Sequence, residues 1–172
     1  MASPLSWPTP RLNLRPTSEA DADLVLKLLN TPKWLRFVGN RNVYSISEAR
    51  EYIKSRMLPQ LERLGYSNYT IIRKKDGAKL GCCGLYDREG LEGVDIGYGL
   101  LPEYEKQGFA IEASKELLRA AKDEFGITKI SGITSKDHFA SQRLLEKLGM
   151  KCTGTVVLPD EEEELLVYQR DL

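Results

Sequence analysis

Histidine is nearly absent from this 172-residue sequence, His138 being the single instance, and only three cysteines occur. Structural zinc takes four Cys or His ligands at short spacings, so no metal site is expected. Cys82 and Cys83 are neighbours in a segment that reads as a strand, where adjacent side chains point to opposite faces, and Cys152 has no partner at a motif spacing. A disulfide framework is therefore not expected, and all three are read as buried structural thiols. A surplus of either charge is missing too: 25 basic and 25 acidic side chains cancel, which removes the field that a nucleic-acid binder uses. No apolar run approaches the ~20 residues that span a bilayer. Residues 1–10 lack the charged start and apolar stretch of a secretory leader. The protein is expected to be soluble and cytoplasmic, with neither nucleic acid nor membrane as a partner.

What the sequence does have is apolar periodicity. Hydrophobic residues make up 41% of it, enough for one ordinary core, and no linker or repeat interrupts it, so residues 1–172 read as a single domain. Residues 11–15 alternate polar with apolar and stop at Pro16, as a half-buried strand does. Ser18 caps a helix over 20–30, ended by Thr31-Pro32, and a second helix opens at Ser47 and runs to Leu61 across Pro59. Residues 67–73 and 78–86 form a hairpin around Lys75-Asp76-Gly77. Over 94–100, Val94, Ile96, Tyr98 and Leu100 share one face of a strand, while Asp95, Gly97 and Gly99 leave the other open for a ligand. A long helix over 108–124, a strand over 129–133, a helix over 139–148 and strands over 151–158 and 164–170 complete an α/β chain of seven strands and four helices.

The stretch from Gly97 to Ala110 runs from strand through a tight turn into a helix. The first N–H groups of a helix lack internal partners and lie at the positive end of its dipole, so they can hold a pyrophosphate. Gly108 and Ala110 let phosphate oxygens approach the backbone N–H groups of Gln107, Gly108, Phe109 and Ala110, and the Lys106 and Gln107 side chains can add donors. A plain strand–helix turn is the alternative that this stretch alone leaves open.

Four ordered blocks carry more. They are Thr9-Pro10-Arg11-Leu12-Asn13-Leu14-Arg15-Pro16, Asp95-Ile96-Gly97-Tyr98-Gly99-Leu100-Leu101-Pro102-Glu103-Tyr104, Gln107-Gly108-Phe109-Ala110-Ile111-Glu112-Ala113, and Ala140-Ser141-Gln142-Arg143-Leu144-Leu145-Glu146-Lys147-Leu148-Gly149-Met150. Together they resemble the GNAT acetyltransferase superfamily, most of all the branch containing the bacterial ribosomal-protein N-terminal alanine acetyltransferases. The resemblance implies a mixed, mostly antiparallel sheet whose fourth and fifth strands splay apart to admit the pantetheine arm of acetyl-CoA. It also implies transfer of an acetyl group to a primary amine by direct attack in a ternary complex. The acceptor would be a protein N-terminus or a small polyamine, and the assembly a monomer or homodimer. Where the family's phosphate motif begins with Gln or Arg, this chain has Glu105. The alternatives are an enzyme that uses a different acyl donor and a binding module that keeps the CoA site without turnover.

The same resemblance distributes roles. Asp95 stands where related enzymes carry a glutamate base; one methylene shorter, it would take the amine proton through water, or else it merely ends a turn. A backbone N–H near Leu100 or Leu101 would receive the developing oxyanion. The position of the family's tyrosine acid holds Leu145, so Ser141 becomes the candidate donor to the thiolate, a backbone-bonded helix serine being the alternative. His138 replaces an asparagine and is placed beside the cofactor arm. Trp34, Phe37, Tyr44 and Tyr52 either line an acceptor pocket or belong to the core.

Overall fold

In β2 (Leu12–Pro16), Leu12 and Leu14 are fully buried and Asn13 is exposed, the two-residue period of a strand with one face on a core. The computed structural model, which describes residues 5–172, builds this pattern into one sheet. Its other strands are β1 (Trp7–Pro8), β3 (Asn68–Arg73), β4 (Lys79–Asp87), β5 (Val94–Leu100), β6 (Lys129–Thr134), β7 (Lys151–Val157) and β8 (Glu164–Asp171). Their order is β1-β2-β3-β4-β5-β6-β8-β7, and every neighbouring pair is antiparallel except β5 with β6.

The sheet thus has eight strands where seven are expected. The extra one, β1, is two residues long, too short to display alternation; it pairs Trp7 with Leu14 and Pro8 with Asn13. Six α-helices replace the expected four among the described residues: α1 (Ala22–Leu29), α2 (Pro32–Phe37), α3 (Ile46–Arg56), α4 (Leu58–Leu64), α5 (Phe109–Asp123) and α6 (Phe139–Lys147). Pro32 does not simply end α1. It opens α2, whose cap is the Thr31 side chain accepting from the Trp34 N–H at 3.3 Å. The expected helix over 47–61 breaks at Met57 because Pro59, lacking an N–H, suits only a first turn. Ser45, rather than Ser47, caps α3 by accepting from the Glu48 N–H, while the Glu48 carboxylate accepts from the Tyr44 N–H at 2.6 Å.

Two layers cover the sheet. On one face α5 contributes Phe109, Ala113 and Leu117 to a core with Leu14, Ile71, Leu85 and Ile96; on the other, α1 and α3 join Val25, Leu29, Ala49 and Ile53. Cys82 and Cys83 are buried as expected, but Cys152 is exposed, because β7 is an edge strand beyond the reach of either helical layer. The splay falls between β5 and β6. They pair only at Val94 with Ile130 and Asp95 with Ser131, and residues 96–100 run on with no strand on that side.

Candidate active site

The end of β5 leads through a short 3₁₀ turn, Pro102–Tyr104, into the loop before α5. Lys106 and Gly108 both adopt the left-handed conformation, with φ of 59° and 82°, so the chain reverses its twist twice and the N–H groups converge on one concavity. Glu112 makes the first bond of the helix, to the Gly108 carbonyl at 3.2 Å. The N–H groups of Gln107, Gly108, Phe109 and Ala110 have no acceptor among the described residues. Four clustered donors without partners at the positive end of a 15-residue helix form an anion site. The Gln107 side chain, offered above as a further donor, is instead turned back to the Glu103 carbonyl at 3.1 Å.

From this loop a cavity of about 450 Å³ runs along β5. Phe109, Ala110 and Ser141 line one side of it, and Leu28, Trp34 and Phe37 the other, with Tyr98, Gly99 and Leu100 as the strand between. Glycine at position 99 suits this packing, since a Cβ there would lie a tight 3.2 Å from the Trp34 ring. Trp34 and Phe37 therefore reach the cavity, whereas Tyr52 packs in the α1–α3 core and Tyr44 is exposed.

Antiparallel pairing turns alternate N–H groups toward the partner strand and away from it. Leu101 donates its N–H to the Leu80 carbonyl at 2.9 Å, which corrects its expected role as an oxyanion donor. Leu100, one residue earlier, faces its N–H toward the unpaired side of β5 and keeps that role open. Lys106 and His138 also line the cavity, the latter at the start of α6 with its ring stacked on Phe37, centroids 3.9 Å apart and planes 2° from parallel. Burial, with Lys33 nearby, holds the imidazole below its ordinary pKa.

Ser141 has a partner that sequence reasoning missed. The Tyr98 hydroxyl lies 2.9 Å from the Ser141 Oγ and donates to the Ser141 carbonyl at 3.0 Å. Burial pushes the Tyr98 pKa up to about 12, so it keeps its proton. The signal was hidden because Tyr98 falls in register with the apolar face of β5. Leu145 is 1% exposed and packs over Gly132, away from the cavity, so the loss of tyrosine at this position serves the core.

Asp95 stands at the fork where β5 and β6 part, 1% exposed and on the opposite face of β5 from Tyr98. Arg88 caps it through contacts of 3.3 to 3.4 Å. Burial raises the Asp95 pKa, with Arg88 opposing the shift. The candidate acid thus lines the cavity, whereas the candidate base lies buried where β5 and β6 are still paired and does not line it. Among the described residues no group of three or more His, Cys, Asp or Glu is arranged to hold a metal ion.

Residues 11–151, which include both the loop before α5 and the whole of α6, match the model of the acetyltransferase (GNAT) domain. The uncharacterized N-acetyltransferase YoaA of Bacillus subtilis (strain 168) is 27% identical over 149 residues, spanning 86% of this chain and 84% of that protein. Among solved structures, an acetyltransferase from Agrobacterium tumefaciens str. C58 superposes with a TM-score of 0.82 at 22% identity, covering 99% of this chain and 96% of that one. RimL, a ribosomal L7/L12 alpha-N-protein acetyltransferase in complex with coenzyme A, superposes with a TM-score of 0.76 at 20% identity, covering 98% of each chain. These two show a shared fold. With the family's domain running through more than three quarters of the sequence, the chain belongs to the GNAT family of N-acetyltransferases.

Proposed function

We propose that this chain transfers an acetyl group from acetyl-CoA to a primary amine, with both substrates bound at once. The observation that carries the reading is the set of four unpartnered N–H groups at the start of α5, opening directly onto a cavity that follows the free edge of β5. The residues present fit such a donor. The N–H groups of residues 107–110 suit its diphosphate, and the unpaired edge of β5 suits the amides of its pantetheine arm. Asp95 takes the amine proton through water, the Leu100 N–H faces the developing oxyanion, and the Tyr98–Ser141 pair delivers a proton to the departing thiolate. Cys82 and Cys83 stay out of the chemistry: burial pushes the Cys82 thiol up to about 11 and Cys83 higher still.

A folded Gly108→Glu protein should bind coenzyme A at least tenfold more weakly by calorimetry, since a carboxylate would then face the diphosphate. Unchanged affinity would move the cofactor site elsewhere. Thiol release from acetyl-CoA across a panel of polyamines and N-terminal peptides separates the enzyme from a module that only binds. Release above the acceptor-free rate with any member supports transfer, and CoA binding without release from any of them supports the binding module.

A further inference from the structure

Glu105 is an unfavourable residue to find beside a phosphate site, and Lys33 of α2 neutralises it with an ion pair of 2.6 Å. The loop's own side-chain donor is Lys106, which lines the cavity, since the Gln107 amide is turned away. A second cation comes from the segment before β2. Arg11, just before β2, lays its guanidinium 4.3 Å over the Phe109 ring. Its Nε donates to Glu112 Oε2 at 2.7 Å and its Nη1 to the Gln107 carbonyl at 3.0 Å. The Arg11 N–H and the Thr9 hydroxyl hold the other Glu112 oxygen at 2.9 and 2.7 Å. Two of the three guanidinium nitrogens are thus fixed to the loop and to the first turn of α5.

The third is not. Nη2 has no acceptor among the described residues and lies 3.2 Å from where a Cβ on Gly108 would stand, beside the loop whose N–H groups are free. The side chain is 45% exposed, so a ligand can reach it. A guanidinium pinned by two of its nitrogens, with the remaining fork aimed past a glycine, is preorganised for a phosphate oxygen.

We infer that Arg11 is a diphosphate-binding and loop-positioning residue of the donor site, adding from the β2 side a second cation to Lys106 of the loop. Holding the Gln107 carbonyl fixes the peptide whose N–H belongs to Gly108, and Nη2 adds a charge-assisted contact of its own. The inference rests on the acetyl-CoA reading above.

Calorimetry of the parent, Arg11→Gln and Arg11→Lys with coenzyme A, 3′-dephospho-CoA and pantetheine tests it. Arg11→Gln should weaken coenzyme A and 3′-dephospho-CoA alike by roughly ten- to a hundredfold, the usual worth of a charge-assisted hydrogen bond. Its affinity for pantetheine, which has no diphosphate, should change by less than about twofold. Arg11→Lys should fall between, because the charge survives and the two-nitrogen anchor does not. An equal loss for pantetheine would reduce Arg11 to a structural strut, and a loss seen with coenzyme A but not with 3′-dephospho-CoA would assign it to the 3′-phosphate; either overturns the inference, as does coenzyme A binding within twofold of the parent. A parent protein that binds no coenzyme A would instead bring down the acetyl-CoA reading itself.

Discussion

Tyr98 and Ser141 share one hydrogen-bonded unit across 43 residues of sequence, and that makes a sharper prediction than either residue alone. Ser141→Ala should lower the maximal rate by about 10²–10³ with little change in acetyl-CoA affinity, as loss of a proton donor does. Tyr98→Phe should cost a similar factor, and the double variant should be little worse than the worse single one, because members of a unit are not additive. Multiplying losses in steady-state assays would mean that the two act separately. Asp95 yields a pH prediction. As the proposed base it would act deprotonated, and burial sets its pKa above the ordinary carboxylate value, so the rate should fall as pH drops through that raised value. Arg88→Gln removes the opposing cation and should displace this acid limb further upward in a pH–kcat profile. A limb that stays in place would show that another group titrates.

Among the elements, those with a period or a special turn residue were legible: the alternation in β2 and β5, the stripe of α5, and the glycine before α5. What escaped were features set by partners far along the chain. β1 exists only because Trp7 and Pro8 find β2, and the Arg11 anchor joins residues 101 apart. Nothing in either local sequence announces such a pair. The same is true of Asp21, which closes the turn before α1 fully buried yet charged. Burial works against its ionised form, but hydrogen bonds from Arg15, the Ser18 N–H and Lys79 outweigh that and hold its pKa well below the usual carboxylate range. A depressed pKa contributes stability that is fully present above the unfolded value of about 3.9 and is lost as pH falls toward the folded one. Acid unfolding should therefore begin below about pH 4. Asp21→Asn should cost about 2–3 kcal/mol at neutral pH, since Arg15 and Lys79 keep some access to solvent, and should flatten that acid limb in denaturant titrations. A variant as stable as its parent would deny the network any part in tying β2, β4 and α1 together.

On the scale of the whole molecule, a neutral sequence turns out to be unevenly charged. The turn between β7 and β8 carries Asp160, Glu161, Glu162, Glu163 and Glu164. Two of the five are engaged: Glu163 accepts from the Ser135 hydroxyl and Glu164 from Lys136, both at 2.5 Å, which ties the turn to the segment entering α6. The turn before β5 closes on it from the other side, for a Cβ on Gly90 would lie 2.4 Å from Pro159. That contact brings the exposed Glu89 and Glu92 toward the exposed Asp160, Glu161 and Glu162, beside the segment that enters α6. Such a rim concentrates a cationic amine and speeds its encounter by long-range attraction. Replacing Asp160 by Asn and Glu161 and Glu162 by Gln should raise the acceptor KM by about three- to tenfold at low ionic strength. The acetyl-CoA KM should hold, since none of the three residues lines the cavity or the loop proposed for the diphosphate. The two proteins should converge in 1 M salt, where the screening length falls to about 3 Å. Equal acceptor constants at low salt would leave the acidic rim without a part in substrate capture, and a difference that persists at 1 M would mean that one of the three carboxylates touches the acceptor directly.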